Sequence, residues 1–198
     1  MTHVAVIPSI YPEWTERCLR GCQLNTFVVD NTVKNKGVAA SWNLGIDELD
    51  RIGGDWLIIV SAAIRFGPPG GLDFLAACEA NPDALALEAA QGIGWHLIAI
   101  NRRTIDRVGR FDENFHPAYF EDIDYGRRMW LEFDQEQWPR FHADVSIAGV
   151  SHGVDLGGAK IDNTKLASYY RSKWGGDKGA ETYDKPFGRR PIHYWPQP

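Results

Sequence analysis

The sequence predicts an α/β protein built on a mostly parallel sheet with helices on both faces. Three observations carry this reading. Short β-branched runs alternate with helix-length amphipathic segments through the first half of the 198-residue chain, as crossover connections between parallel strands require. The runs at 26–30 and 56–64 read as buried strands. The apolar share is 44% and the charged share 24%, ordinary globular values that allow a real core.

The elements follow in order. Residues 4–8 form a first strand, ended by proline. Residues 13–20 can make a helix. Residues 26–30 are the second strand, with Asp30 and Asn31 at its carboxyl end. In 37–52 the apolar positions Val38, Trp42, Leu49 and Ile52 mark an amphipathic helix, stopped by Gly53-Gly54. Residues 55–61 are the third strand, and a Pro/Gly turn at 67–71 leads into a helix at 72–79. Two more strands, 84–90 and 95–101, are separated by Gly92 and Gly94. A short helix at 104–108 and a loop at 109–119 precede a clear helix at 121–133. That helix opens with three acids, which the positive end of a helix dipole favours. A strand at 145–150 and a helix at 163–174 complete the pattern. Residues 1–176 read as one domain, and 177–198 as an extension packing on its surface. In such a sheet, ligands sit outside the carboxyl ends of the strands. Pro8-Ser9, Asp30-Asn31 and Ser61-Ala62-Ala63 would then line one crevice.

Composition excludes some partners. A net charge of −5 argues against nucleic acid, which needs a basic face. Eight tryptophans are many for this length, and Trp serves both cores and flat ligand faces. Cys18, Cys22 and Cys78 have neither an even number nor a zinc-knuckle spacing, so they read as reduced thiols of a cytoplasmic protein. No signal peptide is expected, and no apolar run approaches the ~20 residues that span a bilayer.

The most specific segment is Gly109-x-Phe111-Asp112-Glu113, then Phe120, then Glu121-Asp122-x-Asp124 opening a helix, then Arg128. In that order it closely resembles the family 2 glycosyltransferases. The resemblance covers most of residues 4–176 and implies a single-domain GT-A fold, Rossmann-like, with helices on both faces of its sheet. It also implies inverting transfer of a hexose from a nucleoside-diphosphate sugar, a UDP- or dTDP-sugar favoured, to a hydroxyl of a glycan or protein. An inverting transfer needs a base for the acceptor hydroxyl. The resemblance gives that role to Asp122 and has Glu121 shape the acceptor site. Asp124 and Arg128, at i and i+4, can pair and hold the helix; we read them as structural.

The resemblance extends to both sides. Pro8 and Ser9 match the family's opening strand. Val28-Val-Asp-Asn31, Asn35-Lys-Gly-Val38 and Asn43-Leu-Gly45 match its nucleotide-binding stretch. This makes Asp30 the candidate acceptor of a uracil or thymine imide N–H, puts Asn35 and Gly37 near the ribose or diphosphate, and brings Asn43 to the donor site. Val150-Ser-His-Gly153 places His152 as a diphosphate or metal contact. Tyr169-Tyr-Arg-Ser-Lys-Trp-Gly175 matches a C-terminal helix ending. Trp95-His96 and the aromatic 115–120 loop, through Trp95 and Phe120, could form an acceptor platform or pack against the tail.

One departure matters. Relatives carry an aspartate motif after the third strand whose carboxylates hold Mg²⁺ or Mn²⁺. Here Ser61 and Ala63 stand at that point, Ala63 at the aspartate's place. The expectations are therefore a metal-independent transferase whose diphosphate meets basic groups, a weakly held metal, or a module that binds sugar nucleotide or glycan without catalysis. Arg65, Arg102, Arg103, Lys160, Lys173 and His152 are the basic candidates. A nucleotidyltransferase ranks below these, because residues 9–20 offer no Gly-rich phosphate loop.

Overall fold

The computed structural model describes residues 1–90, 94–134, 138–147 and 162–188. Its elements are β1 (His3–Ser9), α1 (Pro12–Leu19), β2 (Thr26–Asp30), α2 (Val38–Ile52), β3 (Trp56–Val60), β4 (Ile64–Phe66), α3 (Leu72–Ala80), β5 (Ala86–Ala89), β6 (Leu97–Asn101), α4 (Arg102–Val108), α5 (Glu121–Phe133), β7 (Arg140–Phe141), β8 (Val145–Ile147) and α6 (Asn163–Trp174).

The main sheet has the order β2-β1-β3-β6-β5-β7. β2 and β3 both run parallel to β1, and β5 runs parallel to β7. β6 pairs antiparallel with both β3 and β5, so it is the one reversed strand. The reason is local. Only a short connection joins β5 to β6, too short for the crossover that a parallel pair requires.

Side chains alternate across the sheet, and each set finds its own helices. Val4, Val6, Leu57, Ile59, Ile98 and Ile100 meet Trp42, Ile46 and Leu49 of α2, Ile105 and Val108 of α4, and Tyr125 and Met129 of α5. Ala5, Ile7, Ile58, Val60, Leu97 and Ala99 meet Cys18 of α1 and Phe74, Ala77 and Cys78 of α3. α2 packs tightly on the sheet at one point. A Cβ on its Gly45 would stand 2.7 Å from the Val6 Cβ, so only glycine permits this approach.

Helix boundaries follow local chemistry. Pro12 opens α1 from its first turn, where its missing N–H costs nothing. α2 closes on Gly53 in the left-handed conformation. Asp162 caps α6, its side chain accepting the Thr164 N–H at 3.0 Å, and Gly175 ends it left-handed.

The structure differs from the sequence reading in three places. The apolar stretch 56–64 is not one strand: it breaks at a turn where the Ile64 N–H donates to the Ser61 carbonyl at 2.9 Å, and β4 follows. The strand read at 145–150 leaves the main sheet and pairs β8 antiparallel with β4; its residues 148–150 lie outside the described residues. β7 spans two residues and has no periodicity to read.

The described part of the C-terminal extension lies against α5 and α6. The N–H groups of Thr182 and Tyr183 donate to the Trp174 carbonyl at 3.1 and 3.0 Å. Arg127 donates to the Tyr183 carbonyl at 2.6 Å and pairs with Glu181 at 3.6 Å. Among the described residues, no helix is long and apolar enough to cross a membrane.

Candidate active site

β1 and β2 end side by side, and the Asn31 N–H donates to the Ser9 carbonyl at 2.8 Å. Pro8 is half-buried there. Ser9 is buried, its hydroxyl accepting from Thr15 at 2.7 Å. Asp30 stands exposed at the strand end. Its carboxylate accepts the Thr32 hydroxyl at 2.7 Å and the Thr32 N–H at 2.8 Å, and these bonds hold it below the usual carboxylate range.

The loop from Asn31 into α2 is tied by its own side chains. Asn31 accepts the Lys36 N–H at 3.1 Å and donates to Ser41 at 2.9 Å. Asn35 accepts the Gly37 N–H at 2.9 Å. Gly37 has φ +86°, and a Cβ there would lie 2.9 Å from His116 Cδ2. His116 in turn donates from Nε2 to the Asn35 carbonyl at 3.1 Å, and the Val38 N–H donates to the Pro117 carbonyl at 2.9 Å. The loop 109–119 therefore folds over the start of α2.

That loop is held from two sides. From α2, Asn43 donates to the Phe111 carbonyl at 3.0 Å and to Glu113 at 2.8 Å, and accepts the Phe111 N–H at 2.8 Å. From α6, Lys173 reaches Asp112 at 2.7 Å and Asp124 at 2.6 Å. Tyr169 donates to Asp112 at 2.9 Å, and the Trp174 indole donates to Asp124 at 2.9 Å. Burial pushes the Asp112 carboxyl up, but the Lys173 charge and these donors outweigh it and hold it below the ordinary range. Asp124 also pairs with Arg128 at 3.0 Å.

Two assignments change as a result. Asn43 was expected at the donor, but it is 2% exposed and its amide is committed to the loop. Lys173 was expected at the diphosphate, but it is 4% exposed between two carboxylates. Both are framework residues. His152 and Lys160 lie outside the described residues.

This clamp fixes the residues that open α5. Phe120 adopts a left-handed conformation, φ 72°, and packs half-buried against Tyr170. Glu121 follows at 6% exposure, and Asp122 accepts the Ile123 N–H at 2.8 Å. Burial raises both carboxyls. Glu121 reaches about 8, its charge further opposed by Asp122. Asp122 rises less freely: the N–H groups of Ile123 and of Asp122 itself, then Lys178 and His96, favour its charged form.

His96 links the acid pair to the strand ends, since its carbonyl accepts the Ser61 N–H at 2.8 Å. The sequence reading gave His96 no role at the acids, because nothing but the fold brings residue 96 within electrostatic reach of residue 122. Lys178 lies in the extension, beyond the reach of the family resemblance. Trp95 is half-buried, stacked on Trp42 at 5.9 Å and edge-on to Phe111 and Tyr125. Phe115 is fully buried and edge-on to Tyr169, which ties it to α6.

The turn after β3 offers a divalent cation no carboxylate. Ser61 Oγ accepts the Ala63 N–H at 3.2 Å, Ala63 is buried, and Arg65 folds back to donate to the Ala62 and Ile64 carbonyls at 2.9 and 2.8 Å. Among the described residues, no three His, Cys, Asp or Glu side chains cluster to hold a metal. The described residues at this turn do not fit the aspartate-held metal that the family resemblance implies.

No protein-family model and no curated protein matches the chain. Its fold has counterparts among solved structures. TarS 1–349 of S. aureus in complex with UDP-GlcNAc superposes with a TM-score of 0.55 at 12% identity, over 85% of this chain and 64% of that one. The fold is of the GT-A type. Lower scores come from the mannosyltransferase PcManGT of Pyrobaculum calidifontis in complex with GDP-Man and Mn²⁺ (TM-score 0.49, 13% identity, 66% of this chain and 52% of that one). A197 from STIV gives 0.47 at 13% identity, over 76% of this chain and 87% of that one. The chain thus spans less than two thirds of the TarS fragment. Within the GT-A frame, the crevice at the ends of β1, β2 and β3 and the acids opening α5 are the candidate active site.

Proposed function

We propose that this protein is an inverting glycosyltransferase that moves a sugar from a nucleoside-diphosphate sugar to a hydroxyl acceptor, with Asp122 as the general base. The observation that carries the reading is the acid pair at the first turn of α5, Glu121 buried and Asp122 half-buried, with His96, bonded at the end of β3, in electrostatic reach of Asp122. A carboxyl raised by burial and still favoured as an anion by Lys178 and His96 is suited to taking a hydroxyl proton near neutral pH. The acceptor is a glycan or a protein hydroxyl. Asp30, exposed at the end of β2, is the proposed partner of a pyrimidine imide, so UDP- or dTDP-sugars are the favoured donors. Backbone groups from Asn35 to Gly37 would approach the ribose or diphosphate, and Trp95 and Phe120 would border the acceptor.

The reaction is proposed to be metal-independent or only weakly metal-assisted. Ala63 and the hydrogen-bonded Ser61 support this, because a hard cation needs oxygen ligands that the turn does not offer. Ala63 also favours a second reading, a module that binds sugar nucleotide or glycan without transfer.

The test is nucleoside-diphosphate release from a panel of UDP-, dTDP- and GDP-sugars, with Mn²⁺ and with EDTA, beside Asp122→Asn. Release that survives EDTA and drops at least a hundredfold in Asp122→Asn supports the proposal. Release that needs Mn²⁺ overturns metal independence. Measurable donor binding with no release from any donor would favour the second reading. In the active case, turnover rises with pH as Asp122 loses its proton, and this acid limb lies above the usual aspartate range.

A further inference from the structure

We propose that Glu121 works as a neutral carboxylic acid, donating its proton in a hydrogen bond to an uncharged oxygen of the bound acceptor while Asp122 carries the negative charge. The inference rests on the transferase reading for the identity of the ligand, and on the geometry of the acid pair for the rest.

Two carboxyls stand next to each other on the first turn of α5. With Glu121 buried and Asp122 half-buried, both cannot be ionised at once without cost. Their surroundings divide the roles. Asp122 accepts a backbone N–H from Ile123 at 2.8 Å. Among the described residues, the basic groups whose charge would favour ionised Asp122 are Lys178, from the extension after α6, and His96, from the turn leading into β6. Both act on Asp122. Against Glu121 stand the charge of Asp122 and burial, opposed only by its own N–H and that of Tyr119. The remaining cations nearby are engaged elsewhere, Lys173 with Asp112 and Asp124 and Arg128 with Asp124.

The decisive feature is Glu121 Oε2. Glu121 is 6% exposed, and this oxygen has no hydrogen-bond partner among the described residues. A buried polar atom with nothing to bond is costly, and native sites keep such an atom where a ligand will complete it. An ionised carboxylate there would call for a cation or a donor, and no side chain among the described residues provides one. A protonated carboxyl calls instead for an acceptor: a lone pair on a hydroxyl, ring or bridging oxygen. Sugars present such oxygens. The pair would then grip an acceptor in two ways, Asp122 taking the proton of the attacking hydroxyl and Glu121 donating to a second oxygen.

The test has two parts, both on the full chain. Carboxyl ¹³C NMR titration of the wild type and of Glu121→Gln identifies the Glu121 signal as the one missing from the variant. A signal that titrates near pH 8 supports the proposal; one that titrates in the ordinary range between pH 4 and 5 overturns it. The second part follows UDP release from UDP-glucose and UDP-N-acetylglucosamine with methyl glycosides as acceptors. Wild-type turnover should fall as pH rises through the Glu121 titration. Glu121→Gln, an uncharged donor of the same shape, should keep activity within about tenfold and lose that alkaline fall, whereas Glu121→Ala should lose most turnover. A Gln variant as inactive as Ala, or an alkaline fall unchanged in Gln, overturns the donor role. If the wild type turns over nothing, the transferase reading falls, and the titration still decides whether Glu121 is a neutral acid.

Discussion

At the scale of single residues, the molecule separates side chains that do chemistry from those that hold them. The sequence marked Asp112, Asp124 and Arg128 around the candidate acids and Lys173 as a basic candidate for the diphosphate. Asp124 and Arg128 were legible as a pair because four residues on a helix bring them together. Lys173 was not, since its partners lie about half a hundred residues or more away and only the docking of α6 joins them. Removing the Lys173 ammonium leaves two buried carboxylates short of a counter-ion. Lys173→Met should therefore cost about 3–5 kcal/mol, the usual penalty for breaking a buried ion pair, read as a shift of the urea midpoint. Glu121 makes a prediction of opposite character. Its unfolded carboxyl releases a proton near the ordinary 4.5, while the folded one holds it to about 8. The folded state binds the extra proton between those limits, so stability falls as pH rises through that window. Glu121→Gln should melt higher than the wild type at pH 9, and the difference should vanish at pH 4.

At the scale of elements, what was legible depended on length and on partners. The helices α2, α5 and α6 were evident, because amphipathic periodicity over twelve residues or more is a strong signal and caps or acidic first turns marked their ends. β4 and β7, three and two residues long, have no period to detect; they exist because a neighbour offers hydrogen bonds. The sequence ended the third strand at residue 61, but the return strand β4 that follows the turn was hidden for a related reason. Ser61, Ala62 and Ala63 continue an apolar run, and only the Ser61 hydrogen bonds bend it. One close contact between elements was also unreadable: Gly45 looked like an ordinary small residue in a helix, yet it sets how near α2 lies to β1. Gly45→Ala would push a methyl into Val6. Overpacking of this kind costs about 1–3 kcal/mol, even though alanine is the better helix former. Chemical denaturation would read the loss, and an equal or higher midpoint would show that α2 can shift away.

At the scale of the whole molecule, the alternating pattern was enough for a two-faced α/β sheet, and the ordered acid segment was enough for a GT-A expectation. The reversal of β6 was not readable as such, because direction depends on what lies between strands rather than on the strands themselves. Nor was the place of the extension. Its described residues bring Glu181 to Arg127 and Tyr170 and bring Lys178 within electrostatic reach of Asp122. A chain ending at residue 176 leaves the largely buried Arg127 without its carboxylate. It should lose about 1–3 kcal/mol of stability for the unpaired buried group, seen as a lower melting temperature. Lys178→Met should leave the melting temperature within a degree or two of the wild type, because Lys178 is exposed. It should also move the acid limb of turnover to higher pH, because a cation that favours ionised Asp122 has gone.

The bond from the Trp174 indole to Asp124, with Lys173 beside it, has a consequence for biosynthesis. The first turn of α5 contains a fully buried aspartate, and two of its partners arrive some fifty residues later in the chain. While a ribosome is still extending the polypeptide, the sheet can gather with α1 to α4 already on it. The segment that presents the candidate base must nonetheless wait, under-neutralised, until α6 emerges. Chain order thus favours the sheet before the candidate site, whose framework is completed by the last helix. A chain cut before residue 173 would keep every strand of the main sheet and lose two partners that hold the first turn of α5.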